Sequence, residues 1–394
     1  MRLDQMSLMG LAVSHTAPPY RYELLALHKS IANISSISGN EVAVGEQLIS
    51  YLTAHSFNTA RQTVPLEAGS TNPSDRRFNV LAWSGDAQEL SAKVLVSSHI
   101  DVVPPFIEYS IEHEGDSITD QTLISGRGTV DAKASVAAMI IAVEELEKQA
   151  LIDKGAVGMV FVVGEETGGY GMTEFNDSLP PTDKRPFDAV IFGEPTENKL
   201  VCGHKGSLAC NITAHGKAAH SAYPEYGKNA NEMMARAVVE ISKSDLGSSD
   251  LYGNTTFNTG VWSGGLAANI VPDKATLRVL ARVAIGTLMD GHLLVKQTLQ
   301  EILDRIDKGG FELDCPNGRG PVECECDVDG FERDVVNYGT DIPRLGGIYT
   351  KYLYGPGNIR DCHAPQEGLT VGELETAVEG YKRLILHALG NVEP

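Results

Sequence analysis

The chain reads as an α/β protein: a mostly parallel sheet covered by helices, with an inserted βαββαβ α+β unit. Two observations predict this. In the first half, short and continuously apolar runs alternate with helical patterns, as expected of parallel strands buried on both faces. In the middle the order changes to strand, helix, strand, strand, helix, strand, which describes a compact unit around an antiparallel sheet. The length of 394 residues, with 42% hydrophobic and 21% charged, suits two domains with separate cores.

Taken in order, residues 20–56 form two helical stretches around Ser36-Ile-Ser-Gly-Asn40. Asn40 is expected to cap the second, whose apolar side carries Val42, Val44, Leu48 and Leu52. Residues 66–77 are a polar loop. β-rich runs follow at 78–83, 93–98, 157–163 and 188–192. Between the second and third, Ala132 to Leu151 is helical, with Val136, Met139, Ile140, Val143 and Leu146 at helical spacing. From Gly206 the inserted unit runs to Cys315, and Gly203, Gly206 and Gly216 around its start suit a hinge. After about residue 317 the chain returns to the first domain and ends in a helix carrying Leu374, Val378, Tyr381, Leu384, Ile385 and Ala388. The expected division is 1–205 with 317–394 as one domain and 206–316 as the other.

The net charge of −20 argues against nucleic acid or an anionic membrane surface as a partner. No apolar run reaches the roughly 18 residues of a spanning helix. Met6 to Val13 follows Arg2 and has the outline of a secretory signal, but it is short and its basic region is thin. The six cysteines form no Cys-x-x-Cys pair. Reduced thiols are the expectation, with room for one local disulfide between Cys315 and Cys324 or Cys326.

Polar groups end each predicted parallel strand. His99 and Asp101 follow one, Glu165 and Glu166 the next, and Glu194 the third, while Asp131 directly precedes the long helix. The carboxyl ends of strands in an open α/β sheet line its binding crevice, so these side chains should converge. So many carboxylates together would repel, and divalent cations would relieve that repulsion. Five residues, His99, Asp131, Glu166, Glu194 and His363, can supply one His and one carboxylate to each of two ions with Asp131 shared. Nitrogen and oxygen donors without thiolate favour Zn²⁺, with Co²⁺ or Mn²⁺ as substitutes. Asp101 is left to orient His99, and Glu165 to act as general base. Each residue also has a plain reading: a strand-end histidine, a solvated acidic pair, a helix cap, a turn residue, a buried histidine beside Cys362. Their joint placement favours the metal site.

Other groups stand apart from that set. His220, in the loop Gly216-Lys-Ala-Ala-His-Ser-Ala-Tyr-Pro-Glu-Tyr-Gly, reads by spacing alone as a surface histidine. Asn269 and Arg282 could bind a substrate carboxylate, Arg through its bidentate fork. Tyr354-Gly355-Pro356-Gly357 would let backbone amides approach a ligand closely.

The ordered segments SSHIDVVP, GRGTVDAKASVAAM, VVGEETGGYGM, FGEPTE, GKAAHSAYPEYGKNA, GGLAANIVPDKATLRVLAR, YGTD and YGPGNIRDCHAPQEGL resemble one family. It is the zinc metallopeptidase and amidohydrolase family of acetylornithine deacetylase, succinyl-diaminopimelate desuccinylase, aminoacylase and glutamate carboxypeptidase. The resemblance implies that His99, Asp131 and Glu194 hold one zinc, and Asp131, Glu166 and His363 the other. It implies Glu165 as the base, Asp101 as the partner of His99, and the inserted domain as a lid that also forms a homodimer. His220 would then polarise the scissile carbonyl, in several members reaching the partner subunit's site. Asn269 and Arg282 match positions that contact a substrate carboxylate.

Three departures stand out. Ala134-Ser135 replaces the usual glycine pair, the stretch from Cys326 to Tyr338 is short, and Gln366 precedes Glu367 where Asn or Asp is usual. The acetylornithine-deacetylase-like branch looks most similar. The expected activity is therefore a two-zinc amidohydrolase acting on an N-acyl amino acid. The alternative is a metallo-exopeptidase, a carboxypeptidase or dipeptidase, acting on short peptides. Either substrate carries a free carboxylate. A binding protein of the same fold without catalysis is disfavoured by the intact ligands and base.

Overall fold

The computed structural model describes residues 17–65, 77–112, 118–181, 187–390. Met6 to Val13 and most of the predicted polar loop lie outside them. Helices α1 (Arg21–Ala32) and α2 (Val42–Ala54) open the chain. The strands used below are β1 (Asn58–Val64), β2 (Arg77–Trp83) and β3 (Val94–His99), then β4 (Val157–Val162) and β5 (Ala189–Gly193) after helix α3 (Lys133–Lys148). With the late strand Thr350–Tyr354 they form a six-stranded sheet in the order β1, β2, β4, β3, β5, Thr350–Tyr354. The pairings β3 to β4, β3 to β5 and β5 to Thr350–Tyr354 are parallel; β1 and β2 are antiparallel additions at one edge.

Alternation along the central strands explains the continuous apolar runs. Val94 and Val96, Met159 and Phe161, and Ala189 and Ile191 face α1, α2, α3 and the last helix α7 (Val371–Ala388). Leu95, Val160, Val162, Val190 and Phe192 face the other way, against Phe175 of α4 (Tyr170–Ser178). A strand covered on both sides gains nothing from polar residues on either face.

The inserted unit contains β7 (Gly206–His215), α5 (Ala230–Lys243), β8 (Thr256–Gly264), β9 (Lys274–Val283), α6 (Gly291–Ile306) and β10 (Phe311–Arg319), preceded by β6 (Leu200–His204). Its sheet runs in the order β8, β9, β7, β10, antiparallel throughout. Only one face is covered: Leu208, Cys210, Ile212 and Ala214 of β7 meet Met234, Ala237, Leu299 and Leu303 of α5 and α6. Gly203 and Gly206 are sites of close backbone packing, since a Cβ there would lie 2.3 Å from the Val322 carbonyl and 2.2 Å from that of Arg319. No helix among the described residues is long and apolar enough to cross a membrane.

Several details depart from expectation. The residue capping α2 is Glu41, not Asn40, and it makes no side-chain cap. The polar strand β1, the helix α4 and the strands β6 and Thr350–Tyr354 lacked a readable pattern because they are short or lie at an edge.

The cysteines are the clearest correction. Cys202 pairs with Cys326 and Cys210 with Cys315, leaving Cys324 and Cys362 as free thiols. Partners 124 and 105 residues apart leave no spacing signature. Strand pairing supplies the proximity: β10 bulges against β7 between Asp314 and Asn317, which sets Cys315 beside Cys210. Reduction is expected to lower stability by about 2–4 kcal/mol, mainly by releasing long loops in the unfolded chain. A drop in melting temperature under reductant checks this, and an unchanged melt would count against both bridges.

Candidate metal centre and active site

Five side chains predicted from sequence meet at the carboxyl ends of the parallel strands. His99 ends β3, Glu165 and Glu166 lie on the turn after β4, Glu194 follows β5, and Asp131 stands two residues before α3. His363 reaches them from a loop before α7, its backbone at a φ of +64°, a region costly for a residue with a Cβ.

Asp131 is at the centre. His99 Nε2 lies 2.9 Å from its Oδ1, and His363 Nε2 lies 3.1 Å from its Oδ2. His363 Nε2 is also 2.9 Å from Glu166 Oε1, and His99 Nε2 is 4.0 Å from Glu194 Oε2. Each imidazole therefore faces one oxygen of Asp131 and one further carboxylate. Donor atoms of His99, Asp131 and Glu166 all fall within 4.8 Å of one another.

The orientation of His99 follows from its other nitrogen. Nδ1 lies 3.0 Å from the main-chain carbonyl of Asp101, and 3.6 Å from the Asp101 carboxylate. Donating to that carbonyl leaves the lone pair of a neutral ring on Nε2, pointed at carboxylate oxygens. The Asp101 backbone and carboxylate thus both face this edge of the ring. The carboxylate also accepts Ser38 Oγ (2.7 Å) and the amides of Glu165 (3.1 Å) and Glu166 (3.3 Å). Asp101 fixes the ring with its carbonyl and the acidic turn with its side chain.

The electrostatics fit divalent cations. Burial pushes Glu194 well above the carboxylate range, and Asp131 nearby adds to this against the opposing pull of His99. Burial raises Glu165 too, helped by Asp341 and Glu194. Hydrogen bonds to Asp131 and Glu166 push His363 up to about 10. Three glutamates pushed up by burial surround an Asp131 held low by its two imidazoles, a donor set whose crowded negative charge divalent cations would relieve.

Some participants were missed. Arg127 is 2% exposed and stitches the loops together: it donates to Glu367 Oε2 (2.5 Å), to the carbonyls of His363 (3.2 Å) and Ala364 (3.4 Å), and to that of Pro105 (3.3 Å). Glu367, fully buried, accepts the amides of Gly128 (2.8 Å), Val130 (3.2 Å) and Asp131 (3.2 Å). Asp341, pushed up to about 7 by burial, is an acid beside Glu165. Arg77, paired with Glu41 at 3.0 Å, presses on Gly164, where a Cβ would come within 2.7 Å of Nη1. Nothing in the strand patterns advertised these groups, whose partners are distant in sequence.

The remaining predicted residues separate. Arg282 on β9 is partly buried, and close enough to Glu165 that this carboxylate opposes the lowering by burial. His220 is exposed in the inserted unit, its Nδ1 accepting the Ala222 amide at 3.0 Å, and Asn269 nearby is exposed as well. Gly355 donates its amide to Thr196 Oγ1 at 3.0 Å and packs on the carbonyl of Glu194; Gly357 packs on Val130. Gly355 thus brings two backbones together, with its amide engaged by Thr196, while Gly357 makes room for the Val130 side chain.

Comparison with known proteins identifies the family. Residues 202–310 match a family model described as a peptidase dimerisation domain. A peptidase M20 domain-containing protein of Sordaria macrospora is 48% identical over 392 residues, covering 95% of this chain and 86% of that protein. The chain belongs to the M20 peptidase family. M20 membership makes it a hydrolase of C–N bonds in peptides. A probable carboxypeptidase of Arthroderma gypseum is 43% identical over 397 residues, covering 93% of this chain and 85% of that one. Among solved structures, a tripeptidase of Staphylococcus aureus matches with a TM-score of 0.73 at 20% identity, over 94% of this chain and 99% of that one. A dinuclear metal-binding M20 peptidase of Bacillus subtilis matches with a TM-score of 0.66 at 13% identity, over 95% and 99%. These two show a shared fold.

Proposed function

We propose that the protein is a two-zinc exopeptidase that removes the carboxy-terminal residue from short peptides. The observation that carries this reading is the carboxylate of Asp131 with an imidazole Nε2 on each of its oxygens. Relatives above 40% identity described as probable carboxypeptidases favour a peptide over the N-acyl amino acid first expected.

His99, Asp131 and Glu194 would hold one ion, and Asp131, Glu166 and His363 the other. When bound, the ions supply Lewis-acid polarisation of the scissile carbonyl and acidify water. Nitrogen and oxygen donors without thiolate support zinc over softer metals. Glu165 has no hydrogen-bond partner for its carboxylate among the described residues, which leaves it free to take a proton from water and return it to the leaving nitrogen. Arg282 would clamp the free carboxylate of the substrate through two parallel N–H bonds, and Asn269, which sits beside His220, would add its contact from a second subunit. His220 is exposed on the inserted unit, and its role at a carbonyl requires the site of a second subunit. That requirement, with the dimerisation-domain match, supports a homodimer joined through residues 206–316.

Dialysis against a chelator should abolish hydrolysis, and Zn²⁺ should restore it with about two ions bound per chain, measured by elemental analysis. The restored enzyme is then offered dipeptides and tripeptides, their carboxy-terminal amides, and N-acetyl amino acids. Free-acid peptides should be cleaved and the amides not. Turnover confined to N-acetyl amino acids would overturn the exopeptidase reading.

A further inference from the structure

The cleft bordered by Glu165 continues between the two domains as a cavity of about 410 Å³. Its wall on the inserted unit carries His292 and Lys296 of α6 and Arg319 at the end of β10, while Arg344 borders it from the first domain. In a chain of net charge −20 this is a local reversal of sign. Among the described residues the acids lining it are Glu165 and Asp341.

Among the described residues neither Lys296, Arg319 nor Arg344 makes an ion pair within 4.0 Å, although such pairs occur elsewhere on the chain. The acid nearest in sequence to His292, Asp290, is turned onto Thr287, accepting its amide at 2.6 Å and its hydroxyl at 2.8 Å. His292 Nδ1 is buried without a hydrogen-bond partner. Burial, then the charges of Arg319 and Lys296, press the His292 imidazole below its ordinary range, against the pull of Asp290. Arg319 and Lys296 therefore each lie close enough to act on the His292 ring. Together Lys296, half-buried, and Arg319, exposed, present unpaired positive charge to the cleft, which an anion would meet.

Its frame is built. His292 and Lys296 are one turn apart on α6, so they share a face near the positive end of a 16-residue helix. The His292 ring packs on Gly318, where a Cβ would lie 2.6 Å from Cδ2. The Cys210–Cys315 bridge ties the bulged strand that leads to Arg319 onto the middle of the sheet.

We propose that His292, Lys296 and Arg319 form a subsite for the acidic side chain of the residue that the enzyme releases, so that peptides ending in Glu or Asp are preferred. This rests on the exopeptidase reading, in which Arg282 holds the α-carboxylate and leaves these three for a second anionic group. A carboxylate side chain matches the ammonium of Lys296, the guanidinium of Arg319 and the imidazole of His292 better than an apolar or cationic one.

The test compares kcat/KM of the zinc-loaded enzyme for Ala-Glu and Ala-Gln, which differ in charge and hardly in shape. The wild type should favour Ala-Glu by about ten- to a hundredfold, the range of one or two charge-assisted bonds. The preference should shrink as salt is raised. In the Lys296→Ala, Arg319→Ala double variant the ratio should collapse towards one. Lys296→Gln alone, a milder change, should lower it part-way if the double variant does not fold. Equal rates on the two peptides in the wild type, or a ratio untouched by the substitutions, would overturn the subsite. If neither peptide is cleaved while N-acetyl amino acids are, the exopeptidase reading has failed, and N-acetyl-Glu against N-acetyl-Gln decides the subsite by the same ratio.

Discussion

Replacing Glu165 with Gln is expected to lower kcat by about 10²–10⁴-fold with the metal content unchanged. The substitution keeps size and polarity but removes the site that accepts a proton. Glu165 stands on the turn whose amides are held by Asp101, and it is not among the donors around Asp131. Elemental analysis beside steady-state kinetics checks both halves. Full activity would remove Glu165 from the mechanism, and lost metal would make it a ligand.

Replacing Glu367 with Leu is expected to cost about 3–5 kcal/mol of stability, because Arg127 would be left buried without its counter-charge. The change also releases the amides of Gly128, Val130 and Asp131. Asp131 should then lose its orientation, and metal affinity should fall about 10- to 100-fold, as for other residues that support ligands. Denaturant unfolding reads the first effect and metal titration the second. A Leu variant as stable as the parent would mean that the Arg127 pair contributes nothing net.

The central strands and long helices were legible because burial leaves a periodic trace. Val94, Leu95 and Val96 alternate between two covered faces, and β7 buries every second residue. The inserted unit was legible for the same reason. Edge strand β1 was not, because Arg61 and Thr63 are exposed and the strand carries no such trace. The acidic clusters could be found because chain direction puts strand ends on one side of a parallel sheet. Arg127, Glu367, Arg77 and Asp341 escaped notice because each acts on a residue far along the chain.

By itself the sequence determined the fold class and the gathering of acidic groups at the strand ends, since these follow from local periodicity and strand direction. Tertiary structure decided what depends on distance between remote segments. It placed one histidine on each oxygen of Asp131, gave His99 its orientation through a carbonyl, and paired cysteines more than 100 residues apart. It also gathered His292, Lys296 and Arg319 into one wall, a proximity that arises only when α6 and β10 pack into the same unit.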